Sequence, residues 1–200
     1  MLDINIRSMR PEELSNIASF ISDGYADDIF FEWVVPSDND RRHVVAEYYE
    51  VYLGATGAHV YVAEENGVVV GASVWLPHDV DPSIYDDIDT VTGKYAPNFR
   101  EVADKSHESE PKNTSFSQLV GFAVDKPQRG RGIGAVLLKA HLDIMDAQGT
   151  PTYLEASTPF HGGGVYGKFG YTMYGDLLVF SKTAVLYPLW RPVKSEGLNG

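Results

Sequence analysis

The segment QLVGFAVDKPQRGRGIGAVLLKAHLDIMDAQ, residues 118–148, decides the fold. Its first part, Gln118 to Val124, is rich in β-branched and aromatic residues and predicts a strand. From Gly132 to Gln148 the apolar residues Ile133, Val136, Leu137, Ala140, Ile144 and Met145 recur at helical spacing and predict a helix with one buried face. Between the two lies Asp125 to Gly134, with glycines at 130, 132 and 134. Glycines at alternate positions let the main chain approach a bulky anion. The helix start that follows aims free N–H groups and a partial positive charge at the same point. Lys126, Arg129 and Arg131 add cations. The turn reads either as a phosphate cradle or as a tight connection that needs its glycines for backbone reasons alone.

Two known phosphate loops fit it poorly. A Walker loop requires Lys-Ser/Thr after its second glycine, and that pair is missing. Gly130, Gly132 and Ala135 match the dinucleotide fingerprint Gly-x-Gly-x-x-Ala, and Glu155 ends the next strand about where a ribose-binding acid belongs. In that fold, however, the glycine turn follows its strand directly, whereas residues 125–129, including Pro127, separate Val124 from Gly130. Only one more strand and a small hairpin follow, where further strand–helix units would be required.

Downstream, Thr152 to Ala156 predicts a strand. Tyr171 to Met173 and Ala184 to Trp190 predict a closing hairpin, and Ser195 to Gly200 reads as a polar tail. Upstream, Leu2, Ile4 and Ile6 alternate with polar residues as a short strand. Pro11 then opens a helix carrying Leu14, Ile17, Ala18 and Ile21, which runs to the break near Asp23-Gly24. A loop from Tyr25 to Val34 mixes Phe30, Phe31 and Trp33 with Asp27, Asp28 and Glu32, an unusual composition for a connector. A second helix is expected from Asp40 to Leu53. His59 to Glu64 and Val68 to Leu76 form a hairpin about Asn66-Gly67, the strongest short hairpin signal. Residues 77–115 contain four prolines, with short helices expected at Ile84–Val91 and Phe99–Lys105. A connection this long is more often a lid or an insertion than a passive linker.

Composition bounds the rest. Two hundred residues with 44% hydrophobic content and no cysteine predict one folded domain over residues 1–200, without disulfides or cysteine-based zinc sites. A net charge of −12 argues against nucleic-acid or anionic-membrane partners. No apolar run approaches a membrane span, and the N-terminus MLDINIRSMR has no basic start and no apolar core, so a cytoplasmic protein is expected. The charge is uneven: residues 1–110 carry −15 and residues 111–200 carry +3. Either the halves face different partners or the front half is a solvated acidic surface.

Arg129, Gly132 and Gly134 satisfy the pattern Arg/Gln-x-x-Gly-x-Gly/Ala, and Tyr166-Gly167-Lys168-Phe169-Gly170-Tyr171 satisfies Tyr-x-Lys-x-Gly-Phe/Tyr. In these motifs the chain resembles the GNAT superfamily of N-acetyltransferases. It is similar to the puromycin N-acetyltransferase-like branch through Leu154-Glu155-Ala156-Ser157, through the loop ending in Trp33 and Pro36, through Arg41-Arg42, and through Gly71 to Pro77. It departs from the family at Phe160 to Gly164, where an Asn often precedes the tyrosine, and at Pro127, which lies one place later than usual. The resemblance implies an α/β GNAT-type acyltransferase fold, a twisted mixed β-sheet flanked by helices on both faces, with acetyl-CoA as cofactor. It would place the CoA pyrophosphate on the backbone of Arg129, Gly130, Arg131, Gly132, Ile133, Gly134 and Ala135. The pantetheine arm would lie along Phe122, Ala123 and Val124 as an added strand, and Tyr166 would be the general acid.

Acetyl transfer to an amine needs a neutral amine, a donor to the oxyanion and an acid for the departing thiolate. Glu155 is the candidate base. Asp28, Glu32 and Trp33 are candidates for binding the acceptor, and Asp27 joins the acids that can draw a proton from an ammonium group. His161 stands beside three glycines, either as a catalytic group or as a cap for the following helix. His59, His78 and His107 lack ligand spacing, so no metal is expected. The expected activity is transfer of an acetyl group to a primary amine of a small, cationic molecule. The alternatives are acetylation of a protein N-terminus or lysine, and a CoA-binding sensor without turnover. The resemblance also raises a homodimer as an expectation, since relatives often dimerise.

Overall fold

A computed structural model describes residues 4–162 and 164–194. Its strands are β1 (Asn5–Ser8), β2 (His59–Glu65), β3 (Val68–Pro77), β4 (Ser117–Val124), β5 (Thr152–Ala156), β6 (Thr172–Met173), β7 (Leu178–Val179) and β8 (Val185–Arg191). Its helices are α1 (Leu14–Gly24), α2 (Ile29–Val34), α3 (Asp38–Gly54), α4 (Ile84–Thr92), α5 (Ala96–Ser109), α6 (Ile133–Gln148) and α7 (Val165–Lys168). Leu2, expected in the first strand, lies outside the described residues, as do Gly163 and the Ser195–Gly200 tail.

The strands form one mixed sheet of eight, in the order β1-β2-β3-β4-β5-β8-β6, with β7 paired to β8. Only β4 and β5 run parallel among the described pairs, because α6 carries the chain back between them. The β2–β3 hairpin closes through Asn66 (φ 52°) and Gly67 (φ 79°), the left-handed pair that Asn-Gly adopts most readily.

Helices cover both faces. On one, α1, α2, α3, α4 and α5 pack over Val60, Val62, Ala72 and Val74. On the other, α6 buries Leu138 and Leu142 with Trp75, Leu119, Leu154 and Leu189, and Ile133 and Leu137 with Ala63 and Val70. Each fully buried aliphatic side chain contributes roughly 1.5–3 kcal/mol. Arg191, 4% exposed, ties this face together with two bonds to Asp146 on α6 (2.8 and 2.6 Å) and one to the carbonyl of Phe169 (2.8 Å). His141, on the buried side of α6, is fully buried, its ring stacked 4.2 Å from Trp75 and bonded to Ser117 Oγ at 2.9 Å; burial lowers its pKa to about 3.

Among the helices, two differ most from expectation. The Tyr25–Val34 loop contains a helix, α2, because the Asp28 side chain accepts the Phe30 N–H (2.9 Å) and caps its start, while Phe30, Phe31 and Val34 turn into the core. Six residues are too few to show a period. Helix α5 begins at Ala96, ahead of the expected Phe99, since Pro97 occupies the first turn, where its missing N–H has no intrahelical partner to lose. No helix among the described residues is long and apolar enough to cross a membrane.

Candidate active site

The sheet opens between its two parallel strands. Strands β4 and β5 pair at only three positions, Ser117↔Thr152, Gln118↔Tyr153 and Leu119↔Leu154. Next comes a bulge: Val74 of β3 faces Gly121 and Trp75 faces Leu119, which leaves Val120 without a partner. Beyond it β4 runs on to Val124 beside β3 alone, so its other edge is met by side chains. Tyr49 donates to the Val120 carbonyl (3.2 Å). The Tyr25 hydroxyl accepts the Phe122 N–H (3.1 Å) and donates to the Phe122 carbonyl (3.2 Å). Arg129 Nε donates to the Val124 carbonyl (3.0 Å).

At the end of this edge sits the glycine turn. Gly130 and Gly132 have φ of +81° and +88°, a region costly for any side chain, and Gly132 forms the N-terminal boundary of α6 without a side-chain cap. A Cβ at Gly130 would meet nothing within 4 Å, whereas one at Gly134 would lie 3.0 Å from the Phe122 ring. The first glycine therefore faces open space and the last lets the helix close on β4. The uncapped start of α6 suits a pyrophosphate, and the edge of β4, met by side chains and not by a strand, suits an extended amide chain, so this surface fits CoA.

The three cations are already engaged. Arg131 forms a double bridge to Glu65 (2.9 and 2.6 Å), Lys126 pairs with Asp27, and Arg129 reaches the carbonyls of Val124 and Gly24.

Tyr166, on α7, is brought to the same opening, its ring 6.1 Å from Phe122 and 5.9 Å from Tyr171. Burial, with the phenols of Tyr25 and Tyr171, pushes its pKa up, so it stays protonated at neutral pH. Glu155, on β5, accepts from Ser106 (2.6 Å), Tyr153 (2.9 Å) and Ser109 (3.4 Å). Burial raises its pKa and the neighbouring Glu110 adds to this, against the pull of those hydroxyls. Alternation along β5 puts Leu154 and Ala156 on the α6 face with Tyr166, and Glu155 on the α5 face. Acid and base candidates thus stand on opposite sides of the gap between β4 and β5.

The other expected residues fall as follows. Asp28 uses both oxygens, one to cap α2 and one to accept Ser157 Oγ (2.6 Å), which fastens α2 to the end of β5. Glu32 is exposed on α2. Trp33 packs on Phe180 (5.0 Å) and Phe30 (6.3 Å), and Lys105 lies over Phe180 at 4.6 Å. His161 is exposed in the loop before α7. Nothing local in the sequence marks Tyr25 and Tyr49 as edge groups, or Ser106, Ser109 and Tyr153 as partners of Glu155. Tyr25 lies 97 residues from Phe122, and no local pattern announces such a contact.

The acetyltransferase (GNAT) family model matches residues 25–171. No curated protein matches the chain in sequence. Among solved structures, the chain is similar to a histone acetyltransferase HPA2 and related acetyltransferase from Corynebacterium glutamicum (17% identity, 98% of this chain and 99% of that one, TM-score 0.71). It is also similar to arylalkylamine N-acetyltransferase 2 from Aedes aegypti (12%, 96% and 100%, TM-score 0.66) and to an agmatine N-acetyltransferase (16%, 94% and 98%, TM-score 0.58). At these identities the likeness is one of fold, and it is the family model, spanning most of the chain, that decides membership. The chain belongs to the GNAT acetyltransferase family and is an acetyl-CoA-dependent acyltransferase.

Proposed function

We propose that this enzyme acetylates a primary amine on a small cationic molecule, with Tyr166 as acid and Glu155 as base. The observation that carries the reading is the placement of these two groups on opposite faces of one opening. The edge of β4 at Phe122–Val124 would hold the donor between these two faces, and the donor would supply an activated acetyl group. On the α5 face, Glu155 takes a proton from the incoming ammonium, directly or through water; its raised pKa suits the task. On the α6 face, Tyr166 keeps its proton and delivers it to the departing sulfur. The Gly130–Ala135 main chain holds the phosphates and the edge of β4 at Phe122–Val124 aligns the arm. Trp33 and Phe180 give an acceptor an apolar surface, and Glu32 adds charge at its margin.

The acceptor class draws on two supports. The −15 charge of residues 1–110 favours approach of a cation. The arylalkylamine and agmatine enzymes, similar in fold, are named for amine acceptors. Within the family, Leu154–Ser157 and Gly71–Pro77 support a place in the puromycin N-acetyltransferase-like branch. Thiol release from acetyl-CoA, followed across a panel of aryl, aliphatic and polyamine acceptors and a lysine peptide, tests the reading. Turnover on cationic small amines is expected. Turnover on the peptide alone overturns the acceptor class, and tight CoA binding with no turnover on any acceptor makes the protein a sensor.

A further inference from the structure

The Tyr25 hydroxyl makes a reciprocal pair with one residue of the β4 edge, accepting the Phe122 N–H and donating to the Phe122 carbonyl. An extended chain with two secondary amides, added to that edge, would make the same two bonds, one amide accepting the N–H and the next donating to the carbonyl. The N–H carries a single proton, so the phenol and the amide cannot both hold it in full. Tyr25 is set for this place: its ring lies 4.9 Å from Phe31 and stacks on Tyr49 at 5.8 Å and 9°. Burial keeps the phenol protonated.

The turn bearing Tyr25 is clasped to the glycine cradle on both sides. Arg129 bonds the carbonyl of Gly24 (3.2 Å) and Lys126 pairs with Asp27. Both cations adjoin the turn that takes a phosphate in the function proposed above, and a phosphate is a stronger acceptor for Arg and Lys than a neutral carbonyl or a single exposed carboxylate.

We propose that Tyr25 is a latch on the donor cleft: it holds the Phe122 main chain until the phosphates of CoA draw Arg129 and Lys126 from the 24–27 turn and release it. Engagement of the phosphates at one end of the cleft thereby opens the strand edge at the other. The inference rests on the reading of β4 as the donor edge, and its test separates the two.

CoA affinity is measured by calorimetry for the full chain, for Tyr25→Phe and for Asp27→Asn. Removing the phenol's two bonds is expected to tighten CoA binding about five- to tenfold, since the donor then meets no competitor. Asp27→Asn opens the clasp without touching a cation and is expected to tighten binding by a smaller factor. Unchanged or weaker affinity in Tyr25→Phe, with CoA bound by the unaltered chain, overturns the latch; absence of CoA binding by the unaltered chain overturns the donor reading instead. A 3-fluorotyrosine at position 25 guards against a variant that fails to fold. Its fluorine resonance is expected to move on saturation with CoA, and a resonance that stays in place overturns the latch.

Discussion

Residues 120–135 build their side of the cleft from consecutive main chain, while the side holding Glu155 is assembled from Ser106 and Ser109 on α5, 49 and 46 residues away, and from Tyr153 on β5. The first wall depends on backbone conformation: positive φ at Gly130 and Gly132, a bulge at Val120, an uncapped helix start. The second depends on side-chain burial and hydrogen bonding. Substitutions in the main-chain wall should therefore act through affinity and stability. Those in the side-chain wall should act through turnover and its pH dependence.

The sharpest division is expected at Tyr166. Tyr166→Phe should lower kcat by about 10²–10⁴-fold with CoA affinity nearly unchanged, as steady-state kinetics and calorimetry will read. Equal losses in both would move Tyr166 to the donor wall. Glu155→Gln should lower kcat by roughly 10²-fold. Because the pKa of Glu155 is raised, its deprotonated form is lost as pH falls through that raised value, so activity should climb with pH across an acid limb. That limb should vanish in the variant.

On the other wall, Gly121→Ala should cost about 1–3 kcal/mol in denaturant unfolding. Its Cβ would lie 2.8 Å from the Tyr49 ring and 3.2 Å from Val74, both buried. Ser106→Ala removes the hydroxyl that most lowers the Glu155 pKa, so it should shift the acid limb of the pH–rate profile to higher pH. Arg131→Ala should have the smallest effect. Its bridge to Glu65 is exposed at the surface, so CoA affinity should fall about two- to threefold at low salt and less at high salt.

Legibility in the sequence follows the same division. Gln118–Gln148 announces its strand, turn and helix because period and glycine spacing are local properties, and the Asn66-Gly67 hairpin is legible for the same reason. Asp28 shows the limit. As a carboxylate in an aromatic loop it reads as an acceptor-binding group, and in the fold it caps α2 and holds Ser157, just after β5 and 129 residues on. Arg131 reads as a cation for a phosphate, and the fold pairs it with Glu65 across 66 residues.

The sequence by itself determined the strand–glycine turn–helix unit, the alternation that gives β5 two faces and the Tyr166 signature, since each depends on residues close in the chain. The tertiary structure decided the parting of β4 and β5, the caging of Glu155 by α5 and the hold of Tyr25 on Phe122. Those depend on packing two faces of one sheet at once, where burial and hydrogen-bond satisfaction between distant residues select the arrangement.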